Sequence, residues 1–146
     1  YTTLFRSFIY PSKMNVKRSY GFVLNCTDQI ISLMKTDDKS TMYAVYYLAD
    51  YKPIEIKAWA NEIIDYSGKG RMITMPIVII KIFAKIGDIL DYMGIRIIPV
   101  NSFRLRNMMT SALYDTTKIQ KIHKKQKYSM KNGVRITIDW LNKKYN

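Results

Sequence analysis

The chain has 146 residues, 48% hydrophobic and 24% charged, enough for one domain with a core and the wrong balance for a disordered segment. A single cysteine, Cys26, excludes an internal disulfide framework and a cysteine-rich zinc site, and points to a reducing compartment. The formal net charge of +13, with basic residues crowded from Lys118 to Lys144, would draw polyanions, but no nucleic-acid-binding motif accompanies it. An AT-rich coding bias toward Lys, Ile, Asn and Tyr accounts for the same balance, so a solvated basic surface is the expected reading.

In chain order, Tyr1-Thr2-Thr3-Leu4-Phe5-Arg6-Ser7 match the in-frame translation of a common sequencing-library adapter. They are set aside as a non-native leader to residues 8–146, and they lack the features of a secretory signal. Tyr10 to Asn15 reads as a loop. From Lys17 a short strand follows, in which alternation puts Arg18, Tyr20 and Phe22 on one face. Asn25 is the expected cap of a helix from Cys26 to Lys35, with Asp28 near its positive end and Cys26, Ile30, Leu33 and Met34 buried. Arg18, on a strand beside a helix start, could clamp a phosphate or carboxylate with its planar fork of donors.

Thr36 to Ser40 reads as a turn, and Met42 to Ala49, apolar on both faces, as a strand covered on both sides. Ile56, Trp59, Ala60 and Ile63 share a helical stripe that ends near Gly68, with Trp59 expected in the core. Arg71 to Met75 is extended. Pro76 then opens a helix on which Ile80, Phe83, Ala84, Gly87 and Leu90 share a face, closed by Gly94. The apolar run from Met72 to Ile86 contains Pro76, Lys81 and Lys85 and falls short of the ~20 residues of a membrane span, so it reads as buried. Ile95 to Val100 is expected to be extended, Ser102 to Leu113 helical in part, and Ser129 to Tyr145 a helix burying Met130, Val134, Ile138 and Leu141.

Alternating strands and helices make this an α/β chain. No Gly-x-Gly-x-x-Gly or Walker pattern is present, His123 stands alone among lysines and is expected at the surface, and no His/carboxylate spacing suits a metal. Asp115 is expected to cap a helix or accept a structural hydrogen bond.

Five segments, in order from Phe8 to Leu141, resemble the C-terminal, substrate-binding part of the NAD-dependent epimerase/dehydratase family, the extended short-chain dehydrogenases/reductases. Arg18-Ser19-Tyr20-Gly21-Phe22-Val23-Leu24-Asn25 is similar to the family's Arg-Asp-x-x-x-Val-x-Asp strand, with Ser19 and Asn25 replacing the two Asp residues. Tyr43 to Leu48 with Ile54 to Ala60 resembles the strand and helix that follow. Arg106-Asn107-Met108 lies where a second nucleotide-binding arginine is expected, and a small shift would give that place to Arg104. Asp115-Thr116-Thr117-Lys118 is similar to an Asp-x-Ser-Lys element, and Gly133 to Leu141 to the closing helix, while Ile122 to Lys127 departs from the family's Leu-Gly-x-x-Pro segment.

The resemblance implies the mixed substrate-binding subdomain of an extended Rossmann-type enzyme, with the cofactor domain missing. It implies a bacterial, cytoplasmic, homodimeric parent that uses NAD to epimerise or dehydrate a nucleotide sugar, without metal, membrane or nucleic acid. Arg18, with Arg106 or Arg104, would grip the diphosphate. The 146 residues alone are expected to be inactive, and to associate through apolar surface that the cofactor domain covers. Tyr114 and Lys118 match the family's catalytic Tyr-x-x-x-Lys spacing, but they align with the Asp-x-Ser-Lys element and are not assigned catalysis. The alternative reading is a small basic module for polyanions.

Overall fold

A computed structural model describes residues 7–12, 14–37, 43–95 and 101–145 as a mixed α/β domain. Strand β1 (Ser7–Pro11) pairs in parallel with β4 (Arg71–Met75), with Ser7 opposite Arg71 and Pro11 opposite Met75. Strand β2 (Lys17–Arg18) pairs antiparallel with β3 (Ile54–Glu55), so the described strands form two separate two-stranded sheets. Tyr10 and Pro11 therefore belong to a strand and not to the expected loop. Tyr10 is buried, and its hydroxyl donates to the Met14 carbonyl at 2.9 Å while accepting from the Val16 N–H at 3.3 Å, tying the following segment to the sheet. The expected leader lies outside the described residues up to residue 6, and Ser7 begins β1.

Six helices complete the described chain: α1 (Val23–Met34), α2 (Ile56–Ser67), α3 (Ile77–Tyr92), α4 (Ser102–Met109), α5 (Thr117–Ile122) and α6 (Met130–Tyr145). Helix α2 ends as expected: Gly68 takes the left-handed conformation (φ 63°), and its N–H closes on the Ile64 carbonyl at 3.0 Å. Ala60 is buried and Trp59 half-buried, its ring 5.6 Å from that of Tyr20. Helix α6 packs on α2, with Val134 and Gly133 buried, Met130 and Ile138 half-buried, and Leu141 exposed against expectation. Glu62 of α2 receives both Lys131 (3.6 Å) and Arg135 (3.5 Å) from α6.

Pro76 precedes α3 as its spacing predicts, and Gly94 (φ 75°) follows it. Ile80, Ala84 and Gly87 are buried, and Ile80 and Ala84 form a core with Leu105 of α4, joined by Met75, Ile77 and Met109. The run Met72 to Ile86 is not one buried helix: it is β4 followed by a helix buried along one side, and Phe83 faces out. Among the described residues no helix is long and apolar enough to cross a membrane.

Three expectations near β2 are corrected. The strand ladder stops at Arg18; beyond it the Tyr20 ring lies 5.6 Å from that of Trp59 on α2, and the Phe22 ring 5.6 Å from that of Tyr128 in the loop before α6. Helix α1 starts at Val23 with Phe22 as its N-cap, so Asn25 lies inside the first turn and Asp28 in the second. Its buried residues are Asn25 and Gln29, while Ile30 and Met34 are exposed and Cys26 and Leu33 half-buried. Residues 43–49 form no strand; Tyr43 has a positive φ of 63° and the segment has no ladder partner. The expected turn residues 38–40, Met42, and residues 96–100 lie outside the described residues.

Candidate functional site

Arg18 is placed by two neighbours. On one side β2 pairs with β3; on the other, Arg18 makes a parallel bridge to Ala112. The Ser19 N–H donates to the Ala112 carbonyl at 2.8 Å, the Ala112 N–H to the Lys17 carbonyl at 3.2 Å, and the Lys17 N–H to Ser111 Oγ at 3.1 Å. Ser19 is buried, and its hydroxyl accepts the Tyr114 N–H at 3.0 Å. A small polar side chain at 19 thus anchors the segment after α4, where an Asp would bring a charge into a buried site.

This pairing carries the Arg18 side chain to the end of α4. Its Nη2 donates to the main-chain carbonyl of Asn107 in the last turn, which also carries Arg106. Unsatisfied carbonyls and the helix dipole make a helix C-terminus negative, so a guanidinium is stabilised there. One of its five N–H donors is used in this contact, and the planar fork is held in place for others. Arg106 is exposed, and its carbonyl accepts the Thr110 hydroxyl at 2.8 Å. Arg104 sits in the first turn, where its N–H is capped by Asn101 Oδ1 at 2.8 Å. The fold therefore brings Arg18 to the turn of Arg106, with Arg104 two residues earlier in the same short helix.

Tyr114 lies before α5 and Lys118 within it, so the Tyr-x-x-x-Lys spacing does not share one helical face. The Tyr114 ring instead stacks on Tyr47 at 5.2 Å and 11°. The Asp115 carboxylate accepts the Thr117 N–H at 2.9 Å, and its hydrogen bonds to Thr117, the side-chain one first, hold its pKa below the ordinary carboxylate value. His123 is half-buried, with Nδ1 2.8 Å from the Tyr51 hydroxyl, which also contacts the His123 carbonyl. Burial raises the Tyr51 pKa, partly offset by a hydrogen bond with Gln29. Among the described residues no group of His, Cys, Asp or Glu could hold a metal ion.

Beside this region lies a buried polar cluster that the spacing of residues did not reveal. Asn25, with no exposed surface, donates from Nδ2 to Asp50 Oδ1 at 2.8 Å and to the Tyr128 carbonyl at 2.9 Å. It also accepts the Tyr128 N–H at 3.1 Å. Asp50 Oδ1 further accepts the Phe22 N–H at 3.3 Å, which satisfies a free donor at the start of α1. Gln29 and Gln126 both donate to the Ala49 carbonyl, at 2.9 and 3.2 Å, and the Gln126 Oε1 accepts the Tyr51 N–H at 2.8 Å. Cys26 is half-buried, and its thiol pKa is raised by burial first and by the Asp50 charge second. The cluster locks residues 49–51 and 126–128 onto α1. An amide at position 25 suits the cluster, since Asp50 supplies the carboxylate and needs a donor.

No family model, curated protein or solved structure matches the chain.

Proposed function

We propose that this chain is the substrate-gripping part of an NAD-dependent nucleotide-sugar epimerase or dehydratase, and that Arg18 and Arg106 hold the nucleotide diphosphate. The observation that supports this most is the Arg18 to Asn107 contact, which carries the strand-borne arginine to the last turn of the helix that bears Arg106, the second arginine the family resemblance assigns to the diphosphate. Remote binding energy on a diphosphate orients the sugar for chemistry elsewhere. NAD is not assigned to this chain. Among the described residues β1 runs on toward a second strand and β4 enters α3 through Pro76, so no glycine-rich turn joins a strand to a helix N-terminus.

Equilibrium titration with UDP and UDP-glucose tests the reading. Arg18→Ala and Arg106→Ala are each expected to weaken binding about 10-fold or more, as loss of a charge-assisted hydrogen bond does, and Lys143→Ala to leave it unchanged. Absence of UDP binding, or equal, salt-sensitive binding of heparin and UDP indifferent to both arginines, would replace it with the polyanion module.

A further inference from the structure

The basic residues of the C-terminal quarter are not spread as a compositional bias would spread them. Residues 116–146 hold nine Lys and Arg and one acidic residue, Asp139, whereas residues 1–115 hold fifteen and ten. A bias toward AT-rich codons raises Lys without clearing Asp and Glu from one stretch, so this asymmetry needs another cause.

Helix α6 divides its charge between two flanks. Lys131, Arg135 and Asp139 follow at i, i+4 and i+8 and turn toward α2, where Glu62 receives the two cations and the Tyr66 hydroxyl donates to Asp139 Oδ1 at 3.0 Å. Ile136, Trp140, Lys143 and Lys144 lie on the adjoining flank. Every residue from 139 to 144 is exposed, Trp140 by 54%. Lys144 Nζ stands 5.0 Å from the centre of the Trp140 ring. One turn before Ile136, Gly133 admits the Phe22 ring, which lies 3.1 Å from where a Cβ would stand. Phe22 meets Tyr128 edge-on at 5.6 Å, and Lys127 Nζ lies 5.3 Å over Tyr128. An apolar ridge thus runs from Tyr128 to Trp140, with a lysine resting on the ring at each end.

We propose that this ridge seats the chain peripherally on an anionic phospholipid bilayer. Three observations select that partner. The first is charge complementarity, since the ridge stands in a stretch with nine cations to one anion. The second is the apolar content. Ile136 offers nothing to a phosphate or a base, but an exposed aliphatic side chain beside Trp and Lys is what a helix lying in the headgroup region presents. The third is the form of the cations. Eight of the nine are Lys, compact charges suited to a diffuse lipid surface, where phosphate and base recognition favours the arginine fork. The ammonium groups also cover ring faces on which bases would stack, while a lysine stem lying along an apolar body keeps its head among lipid headgroups. The attachment is peripheral: among the described residues no helix is long and apolar enough to cross a membrane. None of these residues enters the arginine site, so failure of nucleotide binding leaves the surface standing.

Co-sedimentation of the 146-residue chain with vesicles tests this. Vesicles of equal parts phosphatidylcholine and phosphatidylglycerol are expected to bind it, less tightly as salt rises, and vesicles of phosphatidylcholine alone are not. Lys143→Ala with Lys144→Ala is expected to weaken the partition about 30-fold, and Trp140→Ala about 10-fold. All three positions are exposed, so the far-UV circular dichroism should stay as it is. The mixed vesicles are expected to shift tryptophan emission to the blue, and Trp140→Phe to abolish the shift while Trp59 remains. No binding to the mixed vesicles overturns the proposal, as does equal binding to phosphatidylcholine alone. So do binding indifferent to the two lysine changes, an emission shift that survives Trp140→Phe, and oligothymidylate held more tightly than the mixed vesicles through Trp140.

Discussion

The side-chain amide of Asn25 donates to Asp50 Oδ1 at 2.8 Å, from a position with no exposed surface. Asn25 stands on the first turn of α1 and Asp50 in the loop before β3, and a buried carboxylate at 50 requires donors around it. The pair is the hub of the polar cluster, because Asp50 also receives Phe22 and Gln126, and Asn25 also pairs with the main chain of Tyr128.

Asn25→Asp exchanges a donor for a second carboxylate at the same place. Stability at pH 7 is expected to fall by about 2–4 kcal/mol, the range for a buried group left against an unpaired charge. Urea unfolding at pH 7 measures the loss, and a variant as stable as the native chain would contradict the pairing. Adding Asp50→Asn to Asn25→Asp restores one donor and one acceptor and is expected to recover part of the loss.

Gly21 is packed where a methyl group has no room. A Cβ there would meet Cys26 Sγ at 2.3 Å, with the Leu48 carbonyl at 3.2 Å and Ala49 Cα at 3.3 Å behind it. Gly21→Ala is expected to cost about 1–3 kcal/mol through overpacking. Cys26→Ala vacates the nearest contact, so the double variant should be more stable than the sum of the two single losses. Strict additivity in a thermal-unfolding cycle would show that the clash lies with the backbone of residues 48–49.

The Cys26 thiol gives a pH test. Burial, and then the Asp50 charge, favour its neutral form, so its pKa lies above the ordinary thiol value. The stabilisation this lends is present below the unfolded-state pKa and is lost as pH rises through the raised folded-state value. Iodoacetamide alkylation of the native chain is expected to reach its half-maximal rate at a higher pH than in the urea-unfolded chain. Asp50→Asn should move that midpoint down. A native midpoint at or below the unfolded one would exclude the arrangement.

Much of the helical frame was legible from residue spacing. Ile56, Trp59, Ala60 and Ile63 mark α2, Gly68 closes it, and Pro76 opens α3, because caps, breakers and helical stripes act over a few residues. The α1 face was not legible. Its buried residues are the polar Asn25 and Gln29, and hydropathy assigns such residues to solvent unless partners are known. Those partners, Asp50, Ala49 and Tyr128, come from loops 20 to 103 residues away. Residues 43–49 failed in the reverse sense: an apolar run looks like a strand, but a strand exists only where a neighbour completes its ladder.

Arg18 marks the division. The sequence by itself determined that a strand-borne arginine precedes a helix, that a second arginine lies on a short helix near residue 106, and that α3 carries an apolar face through Ile80, Ala84 and Gly87. Only the tertiary structure decided that Ala112 joins β2, carrying Arg18 to the carbonyl end of α4. It also decided that α4 takes one side of α3 and leaves the other open. The reason is range: propensity and periodicity are written in neighbouring residues, whereas a guanidinium needs a helix end and an apolar face needs a partner, and both are supplied by distant chain.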